Sequence, residues 1–403
     1  MKRKIKKYIS KIKKYIPKIK RMIGQVFIII TNRFFCLLPL RKNRVLFISD
    51  VRKDIGDGNL AYIYNYLPEQ YTKVTSFVPD RRVKRNLKEK IRLIYNLSVS
   101  QYIMLDDFCQ YTSYMKVRKN QELVQLWHGP GAYKKFGHSR AKDGGDLKNI
   151  TVHPGYKRYT KAIVSSEDIR PCYAEAFSIT VDKVGATGFP RTDLFFDKKS
   201  MQEKKKKILK KYPYLKNKKV ILFAPTYRGT TVNGANYGFV KLDLDKIYKE
   251  FNKEYVFIFK WHPALYNNLQ NGTRKGYDLS KYKDFYYDLS DERDINELLL
   301  VTDILITDYS SVIFDWAFLK KPIVYFAYDQ EEYENGRGLY FPFEEYIYGT
   351  VAKDCGELIK AITKEDLCKD KREKFVKKFI GACDGNSTKK TYEWIFKGEK
   401  RWR

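Results

Sequence analysis

Two of the chain's four histidines close short apolar runs, in Trp127-His128-Gly129-Pro130-Gly131 and in Lys260-Trp261-His262-Pro263. An ordinary histidine pKa of about 6.5 suits proton transfer near neutrality. Glycines after His128 let backbone approach a ligand and leave amides free, so this imidazole suits deprotonation of an acceptor hydroxyl. Lys260 and His262 stand two apart in an extended segment and so share a face. Together they suit the oxygens of a departing phosphate, with Pro263 restraining His262. In Thr307-Asp308-Tyr309-Ser310-Ser311 a buried strand turns into a helix. Serine caps helix starts, and free amides there bind anions, so Ser310 and Ser311 suit a pyrophosphate. Asp308 and Asp315 add acceptors for hydroxyls, or for Lys and Arg. Thr226 and Arg228 leave another strand with a hydroxyl and a guanidinium, the makings of a phosphate clamp. Each of these residues also has a plain architectural use at a strand end. The turn Gly188-Phe189-Pro190-Arg191-Thr192-Asp193 reads as a loop near a hinge, and His138 and His153 as surface or structural residues.

Such chemistry needs strands that deliver their loops to one edge. Strand patterns lie at Val45–Ser49, Lys73–Val78, Tyr102–Leu105, Leu123–Leu126 and Ala162–Ser165. A second series lies at Val220–Ala224, Tyr255–Phe259, Asp284–Tyr287, Ile304–Thr307 and Ile323–Phe326. Helical patterns at 166–177, 200–211, 294–301, 311–319, 356–363 and 370–380 alternate with them. The alternation predicts doubly wound parallel sheets, which bind ligands beyond the carboxyl ends of their strands. A lysine-rich stretch, Lys198–Lys219, separates the series. The expected organisation is a basic segment over 1–43, a Rossmann-like acceptor-side domain over 44–198 and a second such domain, binding the donor, over 199–403. No GxGxxG and no P-loop signature is present, which excludes the usual nicotinamide, flavin and Walker-type sites. The site residues call for no cofactor and no metal.

Net charge is +32, of which residues 1–49 supply fifteen Lys or Arg and no acid, leaving +17 on the rest. Within residues 2–23, Ile5, Tyr8, Ile9, Ile12, Tyr15, Ile16, Ile19, Met22 and Ile23 form one apolar stripe of a helix, with Pro17 expected to kink it. A basic amphipathic helix of this kind lies in an anionic membrane interface, each cation there worth about 1 kcal/mol. Arg33 interrupts the apolar stretch that follows, and a spanning helix needs about 20 apolar residues. Surface attachment through residues 1–40 is therefore expected, at the cytoplasmic face. Six scattered cysteines without metal-ligand spacing fit a reduced compartment. A basic nucleic-acid binder is the non-enzymatic reading, and no known nucleic-acid module is present to support it.

In order along the chain, these segments resemble the CDP-glycerol glycerophosphotransferase family, the teichoic-acid primases and polymerases of Gram-positive bacteria. The matching run continues through Lys321-Pro322-Ile323, Tyr328-Asp329, Tyr333 and Arg337-Gly338-Leu339-Tyr340 and covers roughly residues 120–365. The resemblance implies a GT-B-like fold with two Rossmann-like domains facing a cleft. It implies transfer of glycerol phosphate from CDP-glycerol to a hydroxyl of a lipid-linked, anionic glycan acceptor, with release of CMP. His128 and His262 would be the active-site histidines, and Thr226, Arg228, Lys260, Ser310, Ser311 and Asp315 would face the donor. CDP-ribitol as donor, or a nucleotide sugar used by a GT-B glycosyltransferase, are the alternatives. With no helical-repeat region ahead of the catalytic part, a short, catalytic-only member is expected.

Overall fold

The computed structural model describes residues 2–80, 83–142, 153–229, 234–292 and 294–398. The first series of apolar runs forms β1 (Arg41–Ser49), β2 (Thr72–Phe77), β3 (Ser100–Leu105), β4 (Glu122–Gln125), β5 (Lys161–Ile163) and β6 (Val184–Gly185). All pair in parallel, in the order β2-β1-β3-β4-β5-β6. The second forms β7 (Lys219–Phe223), β8 (Tyr255–Phe259), β9 (Tyr286–Asp288), β10 (Ile304–Thr307), β11 (Ile323–Phe326) and β12 (Thr350–Ala352). Their order is β12-β11-β10-β7-β8-β9, again parallel throughout. Central strands such as β8 and β10 are buried along their whole length, because helices cover both faces of a parallel sheet. That double burial makes them continuous apolar runs that a reader can find. The two- and three-residue strands β6 and β12 carry no such run.

The halves meet through the loop that follows β4. Gly131 has φ +71°, and a Cβ there would stand 2.3 Å from the ring of Phe314 in the second half. Lys134 forms an antiparallel bridge with Leu339, and Tyr346 Oη donates to the Ala132 carbonyl at 2.7 Å. The chain then crosses back. Helix Ser387–Tyr392 follows the second sheet in sequence yet packs on the first, where Tyr392, Trp394 and Ile395 join the core with Val45 and Phe47. Asp193 anchors the return, accepting from the amides of Ser387 and Thr388 at 2.9 Å each. Gly188 leaves room for it, since a Cβ there would lie 2.3 Å from the Ser387 hydroxyl.

Helix Lys2–Phe35 carries the basic arm and continues through Pro17. The side chains described begin at Tyr15, so Ile5, Tyr8, Ile9 and Ile12 of the stripe lie outside them, as does the side chain of Arg337. The helix is pinned at its end, where Asn32 Nδ2 donates to Ser98 Oγ at 2.8 Å and Gln25 to Tyr114 Oη at 2.7 Å. Ile16, Ile19, Met22, Ile23, Val26, Ile30 and Phe34 stay exposed. No helix among the described residues is long and apolar enough to cross a membrane.

Gly131→Ala is expected to lower unfolding free energy by about 1–3 kcal/mol, the usual cost of overpacking. Urea denaturation measures it, and an unchanged midpoint would show that the loop does not bear on Phe314.

Candidate active site

The loop after β4 presents the first histidine under strain. Trp127 has φ 52°, a left-handed backbone that costs a bulky residue about 1–3 kcal/mol. Its surroundings hold it there. The ring stacks on Phe136 at 4.7 Å and on His128 at 4.6 Å. Asn59 Nδ2 donates to the carbonyls of both Leu126 and Trp127 at 2.9 Å. His128 is thereby turned out of the sheet into a cavity of about 370 Å³, where its ring is open to solvent but surrounded by protein.

That cavity is lined from both halves. Arg52 and Asp57 follow β1, His128 follows β4 and Arg191 follows β6, while Asp294 follows β9 and Asp315 follows β10. All stand past the carboxyl ends of their strands. Arg191 ties them together: Nε donates to the His128 carbonyl at 2.9 Å and Nη2 to Asp315 Oδ2 at 2.9 Å. Burial works against the Arg191 charge, but Asp315 outweighs it and raises the guanidinium above its ordinary range. For His128, burial lowers the pKa, Asp107 and Asp106 oppose that shift, and Arg191 adds to it. The imidazole is therefore neutral at neutral pH and able to accept a proton. Arg191 Nη1, Asp315 Oδ1 and Asn296 Oδ1 are buried with no hydrogen-bond partner among the described residues. A buried polar group left unmet costs about 1–3 kcal/mol. The three residues line the cavity wall. Carboxylates of Asp57, Asp294 and Glu297 come within 4.8 Å of one another at the rim. Lys204 already serves them, with Nζ 2.9 Å from Glu297 and 3.4 Å from Asp57.

The residues read as a phosphate clamp form a second group. Asp308 is fully buried and accepts from the amides of Thr226 and Tyr309 at 2.7 Å each and from Arg228 Nη1 at 2.9 Å. Arg228 also donates to Asp329 through Nε at 2.6 Å and Nη2 at 2.9 Å, and to the Thr226 carbonyl at 2.6 Å. Four of its five N–H groups are so engaged. Burial alone would lower the Arg228 pKa, but the two carboxylates raise it far above the ordinary range. Rings of Tyr237, Tyr309, Tyr328 and Tyr333 surround the guanidinium at 5.1–5.6 Å. Arg228 is thus a girder between the ends of β7, β10 and β11 rather than an open clamp.

Lys260 and His262 diverge. Lys260 is buried, donating to the Ser290 carbonyl at 3.1 Å. Burial lowers its pKa, against the pull of Asp288, Asp291 and Asp294. His262 is exposed and caps helix Pro263–Gln270, its Nδ1 accepting from the Ala264 amide at 3.2 Å. Its ring lies 4.7 Å from that of Tyr227, between Thr226 and Arg228. Ser310 and Ser311 remain accessible, but the helix they open, Val312–Trp316, has only five residues and a small dipole. A link joins the groups: Lys134, from the His128 loop, donates to Thr226 Oγ1 at 3.3 Å. The cavity's lining includes His128 and Asp315 but not Thr226, Arg228, Lys260, His262, Ser310 or Ser311. Arg191 and Asn59 escaped the reading of the sequence. Arg191 stood in a turn whose use was open, and an asparagine at a helix start carries no signal of what it will hold.

A family model described as CDP-Glycerol:Poly(glycerophosphate) glycerophosphotransferase matches residues 30–397. The chain belongs to that family. It is 41% identical over 365 residues to a teichoic acid poly(ribitol-phosphate) polymerase of Bacillus spizizenii, covering 90% of this chain and 57% of that relative. It is 29% identical over 357 residues to a teichoic acid glycerol-phosphate primase of Bacillus subtilis, covering 86% of this chain and 87% of that protein. A solved variant of the wall teichoic acid polymerase TagF superposes with a TM-score of 0.73 at 24% identity, over 95% of this chain and 98% of that one. The family is one of transferases in teichoic acid synthesis, and it includes relatives named for each polyol.

Arg191→Ala is expected to cost about 3–5 kcal/mol, because it leaves Asp315 buried without its partner. Chemical denaturation measures this, and a loss under 1 kcal/mol would show that the pair does not hold the halves together.

Proposed function

We propose that the chain transfers a polyol phosphate from a CDP-polyol to a hydroxyl of a lipid-linked teichoic acid acceptor and releases CMP. The observation that supports this reading is the cavity lined from both halves, past the ends of their strands, that the open His128 ring shares with Arg191 and Asp315. His128 takes the proton of an acceptor hydroxyl. The freed oxygen bonds to the β-phosphorus, the bond from that phosphorus to the bridging oxygen breaks, and CMP carries away the electron pair. His262, Thr226, Ser310 and Ser311 steady the donor phosphates, a task of position and charge, and Lys260, tied inward to the Ser290 carbonyl, serves them by holding the strand end from which His262 projects. Arg228 serves them by fixing Thr226, and Asp315 by fixing Arg191. Glycerol phosphate is the group implied by the family's description. Ribitol phosphate has the support of the more similar relative, at 41% identity against 29%, and we take CDP-ribitol as the donor to test first. The protein works at the cytoplasmic face of the membrane, held there by helix Lys2–Phe35 and its exposed apolar residues.

Incubation with CDP-ribitol, CDP-glycerol and UDP-sugars in turn, with CMP or UDP measured, tests the reaction. UDP release with no CMP would sink it. His128→Ala should bind the CDP-polyol but turn over at least about 100-fold more slowly, the low end for loss of a general base. Near-normal turnover would remove His128 from the chemistry.

The pH profile follows from the direction of the His128 shift. The base works when neutral, so activity is full above its pKa and falls as pH drops through it. Burial lowers that pKa, so the acid limb of kcat/KM should lie below the ordinary value of about 6.5. Asp107 pulls the other way, so Asp107→Asn should move the limb further acid. A limb at or above 6.5 would assign the titration to another group.

Removing residues 1–40 should free the protein from membranes and leave turnover on a soluble acceptor intact. A truncated protein that still sediments with membrane counts against the helix as anchor.

A further inference from the structure

A second cavity, of about 350 Å³, opens at the other end of the first sheet, where β1 and β2 begin beside helix Leu87–Val99. Arg44, Arg92, Tyr95 and Asn96 line it, together with Val74 and the β2 strand on either side of it. Two of these side chains are cations and none is a carboxylate. A third cation, Arg41, lies over the Tyr95 ring at 5.6 Å. Lys73 pairs in register with Val45 and rests on the Tyr64 ring at 4.9 Å, on the other face of the sheet. Among the described residues, no carboxylate pairs with Arg41, Arg44 or Arg92. Arg44 is braced from within, Nη2 donating to Asn96 Oδ1 at 2.8 Å, while its Nε is buried with no partner. Burial lowers the Arg44 pKa, and the charges of Arg41 and Arg92 lower it further. Three guanidinium groups beside one hollow repel each other until an anion enters. Arginine forks suit the oxygens of a phosphate.

The approach to this hollow is apolar. Phe35 packs edge-on against Tyr95 at 5.2 Å. Around it, Phe34 in the last turn of the amphipathic helix and Leu37 and Leu38 on the turn into β1 are 65%, 82% and 43% exposed. Outward apolar side chains flanking a cationic hollow complement a bilayer surface, with acyl chains beside phosphates.

We infer that this cavity seats the phosphate of an anionic membrane lipid, so that the folded body docks on the bilayer at a point of its own. The lipid as source rests on the membrane reading above, whereas affinity for phosphate does not. His128 lies beyond the opposite end of the same sheet, and the strand from Arg44 to Ser49 alone spans about 17 Å. Docking here therefore sets the catalytic cavity off from the lipid surface.

The full chain is mixed with vesicles of phosphatidylcholine, with vesicles holding one quarter phosphatidylglycerol, or with phosphatidylcholine vesicles plus inorganic phosphate at matched concentration. Flotation reports binding, and modification of Arg92 by phenylglyoxal, followed by mass spectrometry, reports occupancy of the cavity. The anionic vesicles should slow Arg92 modification about fivefold, and Arg92→Gln should lower vesicle partition about fivefold, the worth of one cation near such a surface. Lys360→Gln, on an exposed helix of the second half, should leave partition unchanged. If the protein floats with anionic vesicles while Arg92 reacts at full speed, the helix anchor stands and this site falls. An equal loss from Lys360→Gln reduces the effect to general charge and overturns it too. Protection by inorganic phosphate as strong as by the anionic vesicles would overturn the lipid as ligand. Failure to float with any vesicle would end the membrane reading itself.

Discussion

Arg191 reaches from the end of one sheet to a carboxylate at the end of the other, and the geometry of the candidate site depends on that reach. Its Nη2 holds Asp315 and its Nε holds the main chain of His128, so one planar group sets the histidine against the second half. Asn59 completes the frame from below, gripping the main chain of Leu126 and Trp127 and accepting from the Arg191 amide at 3.0 Å. A buried pair of this kind earns little net stability against well-packed apolar residues. What it provides is a fixed distance between two domains, which apolar contact alone does not specify.

Around that pair the chain divides its polar residues into those that hold and those left free to act. Arg228, Asp308, Asp329 and the tyrosines about them are saturated with one another, and they bind the ends of three strands into a rigid platform. Arg191 Nη1, Asp315 Oδ1 and Asn296 Oδ1 are not saturated among the described residues, and the residues that carry them line the cavity. Rigidity in the first set makes the second possible, since an unmet polar atom persists only where its neighbours cannot collapse on it. The same contrast accounts for Trp127, whose left-handed backbone is held by stacked rings and by two hydrogen bonds from Asn59.

Much of this was open to a reader of the chain. β8, β10 and β11 were placed to the residue because strands buried on both faces are unbroken apolar runs. His128 was singled out because one of only four histidines stood just past such a run, and Asp315 as an added acceptor in the helix that follows β10. Arg228 was read as a clamp because a sequence shows a guanidinium but not its partners, and its partners stand 80 and 101 residues away. Lys260 was placed beside His262 on one face, but the main chain turns at the strand end and sends the lysine inward to Ser290.

Composition and pattern alone determined that this chain folds as two series of parallel strands, that its first fifty residues are basic and amphipathic, and which side chains crowd the strand ends. Those properties are local: they follow from periodicity of two or 3.6 residues and from charge, which a chain carries whether folded or not. The tertiary structure decided which of those side chains meet. Only folding brings Arg191 to Asp315, 124 positions away, and returns the last helix to the first sheet. Only folding, too, gathers Arg41, Arg44 and Arg92 beside one hollow. Contacts between residues so far apart depend on how whole sheets and helices stack, and no short-range pattern records that.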